Sequence, residues 1–267
     1  LRSVFECAGL KTGMFTSPHL VDFRERIQVQ GDMISKADTT RLGNRLLSMD
    51  FGVCPTMFDY CLAMALLYFK EQKCDVVILE TGLGGTYDST NACGVPDVTV
   101  IAKIGFDHMA ILGDTLAKIA AEKAGIIKRG TALVLESQEK EAMDVLNKAA
   151  ERADIKTTKV VNLDEIRIRP PKDGKQCFSY AGYDAVTMKM LGVHQYENAV
   201  AAMLAAELFF EKYFAGKKSV PERKALQHAI REGIDRTQWM GRMELVSNDP
   251  FFLMDGAHNS NGVEALK

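Results

Sequence analysis

Strand-like and helix-like stretches alternate through the first 190 residues, and that alternation constrains the fold of this 267-residue chain more than any other feature. Such a series packs best as strands laid side by side with crossover helices on their faces. The expected class is therefore α/β, with a mostly parallel sheet and flanking helices. Residues 12–16 make a short strand after the turn residues Gly9-Leu10-Lys11. Helical spacing follows at 38–49 and, more apolar, at 58–72. The continuous apolar run 76–79 has the character of a buried parallel strand, and 98–104 and 132–135 are two more strands. Helices are expected at 115–124 and 139–153, the first with Asp114 as N-cap and Gly125 as C-cap.

From 156 to 191 the pattern changes to strands without helices, and 176–180 with 185–191 reads as a hairpin around Ala181-Gly182-Tyr183-Asp184. Helices return at 194–214 and 221–232. The pattern then breaks at Arg236-Thr237-Gln238-Trp239-Met240-Gly241, and a fresh strand begins at 251–254. This break places one domain over 1–236 and the start of a second over 241–267, a stretch below the ~50 residues a domain needs.

Several function classes fall away on composition. Lysine and arginine total 33 against 35 acidic residues, so no bulk attraction to nucleic acid or anionic membrane is expected. The longest apolar run, 61–69, is far short of the ~20 residues of a membrane helix. No Lys/Arg-led apolar segment opens the chain, so no secretory signal is expected. The six cysteines, at 7, 54, 61, 74, 93 and 177, form no CxxC and no cluster, which suits free thiols in a reducing cytoplasm.

Ligands of open parallel sheets bind at the carboxyl ends of the strands. Those ends carry Ser17-Pro18-His19, Glu80, Asp107-His108 and Asp255. Glu80 opens Glu80-Thr81-Gly82-Leu83-Gly84-Gly85, followed by Asp88 and Asn91. A carboxylate beside glycines suits Mg²⁺, which takes few protein oxygens plus substrate phosphates; a plain glycine turn with a solvated Glu80 is the other reading. His108 is equally a ligand or a hydrogen-bonded loop residue, and Ser17 a ligand or a turn former. On the helix 115–124, Leu116, Ile119 and Ala120 form an apolar stripe, and Lys123 falls on it. A lysine there needs a carboxylate partner, a lowered pKa, a modification, or a route by which its stem snorkels to water. The phosphate-cradling pattern G-x-x-x-x-G-K-[ST] does not occur, and Gly9-Leu10-Lys11-Thr12-Gly13 is not that motif.

Taken together, a set of short segments resembles one family. They are Ser17-Pro18-His19-Leu20 with Arg24-Glu25-Arg26, and Glu80 to Gly85 continuing through Asp88-Ser89-Thr90-Asn91. Then come Gly105-Phe106-Asp107-His108, Leu112-Gly113-Asp114-Thr115, Glu122-Lys123-Ala124-Gly125-Ile126 and His194-Gln195-Tyr196-Glu197-Asn198. Gly241-Arg242-Met243-Glu244 and Asp255-Gly256-Ala257-His258-Asn259 complete the series. Their order and spread resemble the folylpolyglutamate synthases and dihydrofolate synthases of the ATP-dependent Mur ligase superfamily. The resemblance implies two Rossmann-like domains with ATP at their interface. It also implies a reaction in which ATP phosphorylates the carboxylate of a folate or dihydropteroate and the amine of L-glutamate attacks the acyl phosphate. By position, it makes Ser17, Glu80 and His108 magnesium ligands and Lys123 a carbamylated lysine, with Lys123 and His108 as the catalytic pair. It further implies that Asn198 contacts the nucleotide, and that Arg242, Asp255 and His258 grip ATP from the second domain.

Two departures stand out. Thr56-Met57-Phe58-Asp59 matches a substrate-side segment that usually carries glutamate after the phenylalanine. Family members also carry a strand and phosphate loop just before the helix that opens here at Leu1, and most of a second domain beyond Lys267. The chain is therefore expected to be an internal part of the enzyme. The rival expectations are a peptidoglycan-type Mur ligase and a non-catalytic relative that only binds a partner or nucleotide.

Overall fold

The computed structural model describes residues 1–217, 221–257, 262–263 and 266. The chain enters through α1 (Arg2–Cys7) and turns into β1 (Thr12–Phe15), whose four residues are all buried. A short 3-10 turn at Phe23–Arg26 leads to β2 (Ile27–Val29) and β3 (Asp32–Met33). Next are α2 (Lys36–Leu47), capped by Ser35, and α3 (Met57–Glu71), which opens on a reciprocal capping box between Thr56 and Asp59. β4 (Val76–Leu79), β5 (Val98–Ile101), α4 (Met109–Leu112), α5 (Leu116–Ala124), β6 (Ala132–Leu135), α6 (Lys140–Arg152) and β7 (Thr158–Val160) continue the alternation. Then β8 (Arg167–Lys172), β9 (Lys175–Tyr180) and β10 (Tyr183–Met188) form an antiparallel sheet of their own. The chain goes on through α7 (His194–Phe214), α8 (Arg223–Arg236), β11 (Glu244–Asn248) and β12 (Phe251–Met254).

Parallel pairing comes in two blocks, β1 with β4 and β5 with β6 and β7. β2 and β3 extend the first block antiparallel, giving the order β3-β2-β1-β4. Among the described residues no ladder joins β4 to β5. Both strands instead line one cavity of about 680 Å³, shared with Phe5 of α1 and with Ala205, Phe209 and Tyr213 of α7. α7 is buried along most of its length and ties α1, β9, β10 and α8 into one apolar cluster. A second cluster lies between β1, β2, α2 and α3, and a third between β5, β6, α5 and α6.

Several boundaries differ from the sequence expectation, each for a physical reason. Asp114 does not cap α5: its carboxylate pairs with Lys118 Nζ at 2.7 Å, and Thr115 Oγ1 accepts from Lys118 N–H instead. The strand expected over 98–104 ends at Ile101, because Lys103 and Ile104 N–H donate to the side chains of Glu136 and Gln138. β8 is an exposed edge carrying Arg167, Arg169, Pro170, Pro171 and Lys172, residues that blunt further pairing. α8 runs on to Arg236, with Ile234 buried and Gly233 packed against the backbone of Val4.

Candidate active site

The ends of β1 and β4 meet at one point. Ser17 N–H donates to Glu80 Oε2 at 2.8 Å, bridging the loops that leave the two strands. The loop after Ser17 is fixed by Glu25, whose carboxylate accepts from the N–H groups of Leu20, Val21 and Asp22 at 2.7, 2.9 and 2.6 Å. Arg24 pairs with Asp22 at 2.7 Å, and Arg26 Nε donates to His19 Nδ1 at 2.9 Å. The Arg24-Glu25-Arg26 segment therefore serves to shape the loop that holds Ser17.

The glycine-rich turn after Glu80 is held from inside. Asp88 Oδ2 accepts from Gly82 and Leu83 N–H at 2.9 and 3.0 Å. Asn91 Nδ2 donates to Gly85 O at 2.7 Å and reaches Gly125 O at 3.2 Å, joining the turn to the end of α5. A Cβ on Gly85 would stand 2.5 Å from Glu122 O, and one on Gly125 would stand 2.4 Å from Thr86 Cα. The two glycines let these backbones touch. Gly125 has ordinary right-handed helical φ, so its role is close approach and not a left-handed cap.

That contact brings Lys123 to the cavity that Glu80 also lines, together with Lys103 and Lys128. Ile119 and Ala120 of the stripe are buried and Lys123 is half-buried beside them. Burial pushes its ammonium pKa down, and the carboxylate of Asp107 pulls the other way. Glu80 is reached by solvent but crowded by protein, which pushes its carboxyl pKa up; Ser17 N–H and the charge of Arg242 oppose that shift. His108 stands apart from this pair. It caps α4 in the left-handed region, its side chain is 56% exposed, and its Nε2 lies 3.9 Å from Asp107 Oδ1. Among the described residues no three His, Cys, Asp or Glu side chains are grouped to hold a metal. The Glu80 carboxylate and Ser17 hydroxyl are hard oxygen donors, a sparse set that suits Mg²⁺ with its shell of waters and phosphates.

Arg242 comes from the far end of the chain. Asp255 accepts from Met243 N–H and Ala257 N–H, both at 2.7 Å. Glu244 accepts from Gly241 N–H at 2.8 Å, and Gly256 N–H donates to Gly241 O at 2.8 Å. Both carboxylate oxygens of Asp255 are thus engaged by main chain and brace the loop that carries Arg242, whose charge bears on Glu80. Asn198 is exposed on the first turn of α7, where its Nδ2 donates to Gln195 Oε1 at 3.1 Å. His258 lies outside the described residues.

One buried acid escaped the sequence reading. Glu136, directly after the apolar run of β6, is 3% exposed, and its Oε2 accepts from Lys103 N–H at 2.6 Å. Burial pushes its carboxyl pKa up to about 7. The strand-end rule that singled out Glu80 applies equally to it.

Comparison with known proteins now bears on this geometry. The Mur ligase middle domain matches residues 42–206, more than half of the chain. The chain belongs to the Mur ligase family. It is 38% identical over its whole length to a dihydrofolate synthase/folylpolyglutamate synthase of Bacillus subtilis, covering 62% of that protein. The folylpolyglutamate synthase of Mycobacterium tuberculosis, solved with ADP and AMPPCP, superposes with a TM-score of 0.85 at 30% identity. The chain covers 61% of that structure, with 99% of its own residues matched. E. coli FolC, solved with DHPP and ADP, gives 0.81 at 30% identity and is covered over 59% of its length. The chain thus spans under two thirds of the length of these Mur ligase relatives. No helix among the described residues is long and apolar enough to cross a membrane.

Proposed function

We propose that this chain is the ATP-binding part of a folylpolyglutamate synthase, a ligase that joins L-glutamate to the carboxylate of a folate or dihydropteroate. The observation that carries the reading is the meeting of Glu80 and Lys123 on one cavity, with the charge of Arg242 bearing on Glu80. These three residues are distant in sequence, and the family resemblance gives each a phosphate-side role. We assign residues 1–236 to the nucleotide domain and 241–267 to the start of the ligase domain. The slot between β4 and β5 is assigned to the strand that leads into the phosphate loop of the intact enzyme. Six free cysteines suit a reducing cytoplasm.

In this reading ATP transfers its γ-phosphoryl group to the acceptor carboxylate, and the glutamate amine then displaces phosphate to leave an amide. Ser17 and Glu80 would hold Mg²⁺, which when bound supplies charge neutralisation at the phosphate oxygens, and the family resemblance gives the third position to His108, which stands apart from them on the α4 loop. Arg242 supplies fixed positive charge where the transferring group gathers negative charge. Lys123, as its carbamate, turns a repelling ammonium into an anion that favours the cation. Asn198 orients the nucleoside end from the first turn of α7. Asp255 braces the loop of Arg242 through Met243 and Ala257 N–H, and the family resemblance gives Asp255 and His258 a share in the second domain's grip on ATP.

The experiment is ADP release by the full-length protein with different acceptors. Folate or dihydropteroate plus L-glutamate should drive ADP formation. A UDP-sugar peptide driving it instead would move the protein to the peptidoglycan branch, and no acceptor-dependent ADP at all would support a non-catalytic relative.

A further inference from the structure

The segment that follows β6 fastens two parts of the nucleotide side, and none of its side chains belongs to the phosphate-side set. Glu136 Oε2 accepts from Lys103 N–H at 2.6 Å. Gln138 Oε1 accepts from Ile104 N–H at 2.8 Å, and Gln138 Nε2 donates to Ala102 O at 3.0 Å. Between them, Ser137 N–H donates to Glu197 Oε1 at 2.7 Å. Three consecutive residues therefore hold the 102–104 turn, which leads into Asp107-His108, and also the first turn of α7, which carries Asn198.

We propose that Glu136 is a positioning residue for the nucleotide: through Lys103 N–H, and beside the Ser137–Glu197 bond, it fixes the turn ahead of His108 relative to Asn198. The inference rests on the ATP-binding reading above. Its physical basis is that a buried acceptor cannot be removed without leaving its donor unpaired, and a turn so orphaned moves to find water. The choice of an acid adds something a neutral amide would not. Lys103 on the turn and Glu197 on α7 are the charged groups that face Glu136. Burial, helped by the like charge of Glu197, holds its carboxyl pKa at about 7. Near neutral pH the carboxylate and the acid are thus both populated, and the carboxylate is the stronger acceptor for Lys103 N–H. Nucleotide affinity should therefore gain from this residue as pH rises.

The test uses the full-length protein and a Mg²⁺-AMPPCP titration without acceptor at pH 6, 7 and 8, for wild type, Glu136→Ala and Glu136→Gln. The alanine variant should bind AMPPCP about tenfold more weakly, the scale of one lost buried hydrogen bond, while folate affinity stays within about twofold. The glutamine variant keeps an acceptor and should bind to within about threefold of wild type. The wild-type to glutamine affinity ratio should rise across pH 7, a comparison that cancels the nucleotide's own protonation. Alanine binding like wild type, equal weakening toward folate and AMPPCP, or a ratio that does not change with pH each overturns the proposal. A wild type that binds no AMPPCP refutes the ATP-binding reading itself and the proposal with it.

Discussion

Lys123 and Glu80 line the same cavity, and burial disfavours the charged form of each. For Lys123 this means a larger share of neutral amine than on an open helix face. A neutral amine adds to CO₂ and loses a proton to become a carbamate, an anion with two oxygens. The opposing influence is Asp107, which favours the ammonium. Lys123→Arg separates the two outcomes, because a guanidinium keeps the charge toward Asp107 and forms no such carbamate. We expect the arginine variant to lose about 100-fold in acceptor-dependent ADP formation, the scale of one lost electrostatic group in an active site. Lys123→Ala should recover in part with added acetate or formate, which places a carboxylate in the gap. Full activity of Lys123→Arg would show that the ammonium is the working form. Glu80 has its own sign. Its folded pKa lies above the unfolded one, so stability falls as pH rises through that interval and the ionised side chain is held at a cost.

At the scale of elements, the site depends on the glycine turn after β4 lying against the end of α5. Gly85→Ala places a methyl 2.5 Å from Glu122 O and 2.8 Å from Lys123 O, both backbone atoms that cannot rotate away. We expect a loss of about 1–3 kcal/mol, the usual cost of overpacking, read as a lower Tm in calorimetry. Gly43→Ala, which like Gly85 has no positive φ and whose added methyl meets only Met64 Cε at 3.5 Å, lacks this clash and serves as the control. How legible these elements were follows their apolar runs. The runs 76–79, 132–135 and 251–254 and the long helix 194–214 fall where the sequence places them; 132–135 and 194–214 are mostly buried, whereas 76–79 buries only Val76 and 251–254 is mostly exposed. β2, β3, β8 and β11 carry no such run, and a partner strand defines them. The candidate site follows the same logic. Glu80 and Lys123 stood out locally, one at a strand end and one on an apolar stripe. Glu136 had the same strand-end position without a glycine turn to mark it, and the bracing by Glu25, Asp88 and Asp255 needed coordinates because each acts on main-chain N–H groups.

Across the whole molecule, two parallel blocks flank a slot of about 680 Å³, and a ribbon from the end of the chain brings Arg242 to bear on Glu80 at one end of it. Residues from both ends of the sequence thus converge where the strands finish, as in other open α/β sheets. The account stands on Glu80 being a working carboxylate of a nucleotide site. The most direct measurement is ADP formation by the full-length protein and its Glu80→Gln variant, with Mg²⁺, folate and L-glutamate at pH 8, each accompanied by its Tm. Glu80→Gln removes a carboxylate held with a raised pKa, so its Tm should equal or exceed that of wild type. ADP formation should fall about 100-fold, the scale of removing one electrostatic group from the reacting centre. A folded Glu80→Gln protein that forms ADP at the wild-type rate under limiting Mg²⁺ would contradict the account.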